Sequence, residues 1–214
     1  MSSEAPESST EPGPCAPAPT PASDFLLITQ ITCHDDLERV LPSLRRLLQE
    51  CINIDPSSSA LCFLAPTSDH DADAYWRSLW PQIASTPPTV SLFVLTRRAA
   101  PGGAPDLANV VGTVHLACSP KQTHDHKAEV LKLLVSSSER GKGLGQLLMA
   151  HVEAFARDRL DKSVLLLDTA TGTPARAFYL KSATQAGRIW QMILEVGSDC
   201  WGQASHPNEI SAET

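Results

Sequence analysis

The chain has 214 residues, 42% of them hydrophobic, and a net charge of −7. This composition supports one buried core. It offers no run near the roughly 18–20 apolar residues of a membrane helix, and it lacks the clustered Lys and Arg of a nucleic-acid binder.

The charge is unevenly placed: Glu4, Glu7, Glu11 and Asp24 face no Lys or Arg within residues 1–24, which also hold six of the seventeen prolines. Residues 1–23 therefore read as a disordered Pro/Ser/Glu-rich tail, 24–196 as the folded domain and 197–214 as a polar C-terminal tail. No basic start followed by an apolar run is present, so a secretory leader is not expected. Cys15, Cys33, Cys51, Cys62, Cys118 and Cys200 form no CxxC or zinc spacing. They read as reduced thiols of a cytoplasmic protein, with the nucleus as the other compartment.

Residues 25–31 are apolar and β-prone, a first strand. From Asp35 to Glu50 the positions Leu37, Val40, Leu41, Leu44, Leu47 and Leu48 recur at helical spacing, with Pro42 expected to kink or divide the helix. A second helix is expected from Asp71 or Asp73 through Tyr75, Trp76, Leu79 and Trp80, ended or bent at Pro81. Strand patterns follow at 90–95, 109–117 and 128–135, close enough in sequence for an antiparallel meander. A helix over 143–159, a strand over 163–167 and a short helix over 174–181 complete the regular part, with one more strand-like run at 190–196. The order predicts a mixed α/β fold.

Arg140-Gly141-Lys142-Gly143-Leu144-Gly145 lies between a strand and an amphipathic helix. Glycines let backbone N–H groups approach an anion, and the free N–H groups of a helix start favour one. The sequence lacks the GK[ST] of a P-loop, and Gln146 stands where a dinucleotide fingerprint requires glycine. Arg-x-x-Gly-x-Gly fits a pyrophosphate loop.

That motif, with the strand, strand, loop, helix, strand, short helix and tyrosine order over 109–179, resembles the acetyl-CoA core of the GNAT superfamily of N-acetyltransferases. The segments 111–114, 128–135 and 166–172, with Tyr75-Trp76-Arg77-Ser78-Leu79, resemble the tabtoxin-resistance type most. The resemblance implies a largely antiparallel central sheet flanked by helices, and transfer of acetyl from acetyl-CoA to a primary amine of a small molecule in a ternary complex. It implies that backbone groups of Leu134, Val135 and Ser136 hold the pantetheine. The loop Arg140, Gly141, Lys142, Gly143, Leu144 and Gly145 then holds the pyrophosphate.

By the same resemblance Tyr179 protonates the leaving thiolate, Glu129 takes the amine proton, and Asp168 is a second acid beside it. Residue by residue, Tyr179 also fits a half-buried core aromatic, Glu129 a partner of Lys127 or a histidine, and Asp168 a turn cap. His124 and His126 read as solvated loop, and no metal site is expected. His115 reads as a satisfied core or cleft residue, and Tyr75, Trp76 and Trp80 as a core stripe that can also wall the acceptor site. Neither nucleic acid nor membrane is expected as a partner, and the oligomeric state, a homodimer included, stays open.

Two departures stand out. Gly172 occupies a position where the superfamily often has asparagine, and the pattern is lost after Lys181, so the closing β-hairpin is expected to be incomplete. The alternative to an enzyme is a weak or inactive protein of the same fold that binds acyl-CoA or a partner.

Overall fold

The six apolar positions of the first helical pattern all become buried, and they fix the first helix against the sheet. The structure, a computed structural model, describes residues 25–54, 63–98, 105–170, 173–183 and 190–196. The tail 1–23, the end 197–214 and Gly172 lie outside them. In chain order the elements are β1 (Phe25–Ile31), α1 (His34–Gln49), α2 (Asp69–Ser78), α3 (Trp80–Ile83), β2 (Val90–Arg98) and β3 (Val110–Ala117). They continue with β4 (Lys127–Val135), α4 (Leu144–Leu160), β5 (Val164–Ala170), α5 (Pro174–Ala183) and β6 (Trp190–Val196).

Pro42 does not divide α1, which is continuous across it. A mid-helix proline costs about 3 kcal/mol, but each buried leucine or valine of the stripe returns about 1.5–3 kcal/mol, so packing decides. The helix then runs into a single π turn, Glu50–Ile54. α2 begins at Asp69, earlier than expected, because Ser68 caps it: the Asp71 N–H donates to Ser68 Oγ at 3.1 Å. Pro81 falls inside α3, a short helix that follows α2 after Leu79.

Six strands lie in the order β1-β2-β3-β4-β5-β6. β2, β3 and β4 are antiparallel neighbours, as the meander predicts; β1 joins antiparallel to β2, and β4-β5 and β5-β6 are parallel. Along β2, Leu92 and Val94 face one side and Phe93 and Leu95 the other, and each side has its own core. The first face is covered by α1, Ala72 and Trp76. The second is covered by Leu148, Met149, Val152 and Ala156 of α4, with Tyr179 of α5.

Two irregularities of β4 position the site. Register passes from Thr113↔Leu134 to His115↔Leu131, so β4 carries one extra residue, and Lys132 sits there at φ +48°. This is a β-bulge, a device that bends a strand and re-aims its groups. Second, β4 pairs with β5 only from Lys127↔Val164 to Val130↔Leu167. Beyond that the two parallel strands separate. Among the described residues a single strand, β6, follows α5, and it runs parallel to β5.

Candidate functional site

A cleft of about 460 Å³ lies beside the end of β4 that β5 leaves unpaired. Leu133, Leu134 and Val135 form one wall, Phe178 and Tyr179 another, and the turn into α4 closes the end. Of the sequence-predicted binding residues, Leu134, Val135, Arg140, Gly141, Gly143, Leu144 and Gly145 line this cleft. Ser136 and Lys142 do not. The Ser136 N–H already donates to Val111 O of β3 at 3.0 Å, so it is not free to hold a ligand as expected. By strand alternation the N–H and C=O of Val135 then point away from β3, toward the cleft.

The turn is built for an anion. Gly141 and Gly143 adopt φ of +76° and +80°, the left-handed region where side chains are strained. Gly143 is the N-cap of α4 and supplies no side-chain cap; the first helical bond comes from the Leu147 N–H to Gly143 O at 3.0 Å. The preceding N–H groups of the helix start are therefore left for an incoming acceptor. Gly145 has a different reason: a Cβ there would lie 3.3 Å from the Phe178 ring, so glycine lets α5 close on the helix start.

Charge around the turn is arranged rather than merely positive. Glu139 lines the cleft, where a bare carboxylate would repel an anion. Lys142 Nζ reaches its Oε2 at 3.0 Å and Arg97 Nη2 hydrogen-bonds the same oxygen, and these two partners hold its carboxyl below the usual carboxylate range. Arg140 is folded along the cleft, its Nε donating to Val135 O at 3.2 Å and its Nη2 to Cys51 Sγ at 3.5 Å. Glu50, in the π turn, accepts the Ser137 N–H at 2.7 Å and the Ser136 hydroxyl at 3.3 Å. It ties the end of α1 to the loop that carries the cradle. Arg97, Cys51 and Glu50 are neighbours of the cleft and its loop that sequence reasoning missed. Arg97 is 42 residues from Glu139, and no local pattern links them.

Tyr179 also lines the cleft and is buried; desolvation pushes its hydroxyl up to about 12. The two acids stand elsewhere. Glu129 and Asp168 are exposed and do not line the cleft. Glu129 pairs in register with Leu166, so Asp168 lies two residues further along β5 on the same face. The two acids therefore stand on neighbouring strands with an offset of about 7 Å along the strand direction. Asp168 follows the last paired residue, Leu167, at the point where the strands part. His115 is buried as expected but not satisfied: its Nδ1 finds no hydrogen-bond partner. Trp76 is fully buried, whereas Tyr75 and Trp80 are half-buried. Cys33, Cys51 and Cys118 are free thiols; Cys15, Cys62 and Cys200 lie outside the described residues. Among the described residues no His/Cys/Asp/Glu group is arranged for a metal and no helix is long and apolar enough to cross a membrane.

The architecture is shared with solved acetyltransferases. Glucosamine-6-phosphate N-acetyltransferase from Arabidopsis thaliana superposes with a TM-score of 0.50 at 13% identity, covering 79% of this chain and 97% of that one. GNAT-family acetyltransferases from Staphylococcus aureus Mu50 and Streptococcus pneumoniae reach 0.51 at 13% and 15% identity. They cover 74% and 73% of this chain, and 84% and 83% of their own lengths. At such identities these likenesses establish the fold. The model of the acetyltransferase (GNAT) family matches residues 58–183, more than half of the sequence, including β4, the cradle, α4 and Tyr179. The protein belongs to the acetyltransferase (GNAT) family.

Proposed function

We propose that the protein moves the acetyl group of acetyl-CoA to a primary amine of a small, amino-acid-like molecule, by direct attack in a ternary complex. The observation that carries this reading is the cleft itself, in which a glycine turn at a helix start, a buried phenol and the end of β4 line one space. Acetyl-CoA supplies the activated acyl group and a thiolate leaving group. The free N–H groups at the start of α4, with Arg140 turned from Val135 O toward the anion, hold the pyrophosphate. The vacated Val135 carbonyl and its N–H extend the sheet by one ligand strand. A backbone N–H at the bulge, near Leu133, donates to the carbonyl oxygen as negative charge develops there.

Tyr179 is protonated at neutral pH, as an ordinary phenol is, and burial raises its hydroxyl further to about 12, so a proton is held in place for the departing sulfur. Glu129, open to solvent, takes the proton of the attacking amine through water, and Asp168 at the strand parting draws the ammonium in. A second reading, a protein that binds acyl-CoA with little turnover, is favoured by one observation: both carboxylates lie outside the cleft. Calorimetric titration with acetyl-CoA, followed by thiol release across a panel of small amines, tests both. Binding with release supports the enzyme, binding without release for any amine supports the second reading, and no binding overturns both.

A further inference from the structure

The unpaired end of β4 is capped by a side chain of its own chain. Val135 pairs with Gly112 of β3, and the next N–H along, that of Ser136, donates to Val111 O at 3.0 Å. Hydrogen bonding in an antiparallel ladder alternates sides, so the Val135 carbonyl points away from β3. β5 does not reach it, because β4 and β5 pair only as far as Val130↔Leu167. The carbonyl is taken instead by Arg140, whose Nε donates to it at 3.2 Å, while Nη2 of the same guanidinium meets Cys51 Sγ at 3.5 Å.

The backbone between the two residues is tied down. The Ser137 N–H donates to the Glu50 carboxylate at 2.7 Å, the Glu139 N–H to Ser136 O at 2.9 Å and the Arg140 N–H to Ser137 O at 3.3 Å. Uncovering Val135 O therefore falls to the side chain of Arg140 and not to the loop. That side chain lines the same cleft as Gly141 and Gly143, in the turn suited to an anion. A phosphate there offers the guanidinium two parallel hydrogen bonds and a full charge, where the carbonyl offers one bond and a dipole.

We propose that Arg140 is a selectivity latch of the donor site: it closes the strand edge at Val135 until an anion in the turn into α4 draws the guanidinium away. The two ends of the donor are then coupled. A thioester that brings a pyrophosphate opens the edge for its own pantetheine arm, whereas one without it competes with Arg140 for the same carbonyl. The donor class is therefore acyl thioesters of a pyrophosphate-bearing carrier, and bare pantetheine thioesters are rejected by more than their missing phosphate contacts. This inference rests on the acetyl-CoA reading proposed above, and it deepens that reading by giving the donor site a means of selection.

The test sets acetyl-CoA against S-acetylpantetheine in the full-length protein, with Kd read by calorimetry for the first and by NMR titration of the acetyl methyl for the second. In Arg140→Met, which keeps the apolar stem, acetyl-CoA should bind at least tenfold more weakly. S-acetylpantetheine should bind about fivefold more tightly, the scale of one exposed hydrogen bond from a charged group. An arginine that only braced the loop would weaken both ligands when lost. S-acetylpantetheine that binds the variant no more tightly than the wild type overturns the proposal.

A second arm needs no variant. Inorganic phosphate, set against chloride at equal ionic strength, should fill the turn of the wild type and tighten S-acetylpantetheine at least twofold. No change, weaker binding or no binding at all overturns the latch. If acetyl-CoA binds and thiol is released but phosphate leaves S-acetylpantetheine unmoved, transfer stands and the latch falls. If phosphate tightens it but no amine yields thiol, the latch stands and transfer falls, and a protein that does not bind acetyl-CoA overturns both.

Discussion

Glu50 gives a sharp test of how the cradle is held, because its charge and its hydrogen bonds act in opposite directions. Its carboxylate accepts the Ser137 N–H at 2.7 Å and the Ser136 hydroxyl at 3.3 Å, fixing the segment between β4 and α4. Hydrogen bonds to a charged group contribute about 1.5–3 kcal/mol when buried. Ser137 is exposed and Ser136 half-buried, so about 1 kcal/mol for each is the reasonable scale after solvent competition. If half of the total of about 2 kcal/mol goes into holding the cradle in its binding shape, Glu50→Ala weakens acetyl-CoA binding about fivefold.

The negative charge itself, close to the turn proposed to hold a pyrophosphate, would oppose binding. Glu50→Gln removes the charge and keeps an oxygen to accept the Ser137 N–H, so its affinity should equal or slightly exceed that of the wild type. Isothermal titration of all three proteins at two salt concentrations separates the effects, since only the charge contribution is screened. An alanine variant that binds as tightly as the glutamine variant would refute the reasoning, because the two hydrogen bonds would then play no part in shaping the cradle.

Tyr179→Phe should lower kcat about 100-fold or more with the acetyl-CoA Kd unchanged within twofold, as measured by steady-state kinetics and calorimetry; an unchanged kcat removes its assigned role. Because burial holds the hydroxyl up to about 12, the wild-type kcat should show no falling limb attributable to this group below about pH 11. Gly143→Ala meets no atom within 4 Å but must hold φ +80°, so it should destabilise the fold by about 1 kcal/mol, read by urea unfolding, and weaken acetyl-CoA binding. His115 contributes to acid sensitivity with a definite sign. Its folded value of about 3 lies below the unfolded value of 6.5, so between those limits the unfolded chain binds the extra proton. Stability should fall as pH drops through that window, by at most about 1.4 kcal/mol per pH unit. His115→Leu should flatten the acid limb of stability against pH, and a limb of unchanged slope would contradict the assignment.

Much of this molecule was readable in its residues. Strand and helix patterns were found close to where they lie, since alternation and the 3.6-residue period survive in a chain with separate cores on the two sheet faces. The glycine turn into α4 was legible because its glycines are contiguous, and Tyr179 was reached through the family resemblance and lies in the same cleft. What could not be read was set by tertiary geometry. Nothing about lysine as a residue type announces φ +48° at position 132, and the extra residue of β4 exists only against the register of β3. The offset between Glu129 and Asp168 has the same origin, because spacing along each strand says nothing of how two strands align. The break allowed for at Pro42 is missing for a different reason: local propensity was outweighed by a buried stripe.

The early parting of β4 and β5 has a mechanical consequence. Backbone pairing between the antiparallel meander and the β5-α5-β6 unit extends over only four register pairs, Lys127↔Val164 to Val130↔Leu167. A ligand lying along the open wall acts as a stitch across that seam. Its binding free energy then becomes folding free energy, growing by about 1.4 kcal/mol for each tenfold excess of ligand over its Kd. The abundance of its own donor would thereby set how firmly the two parts of the protein are held together.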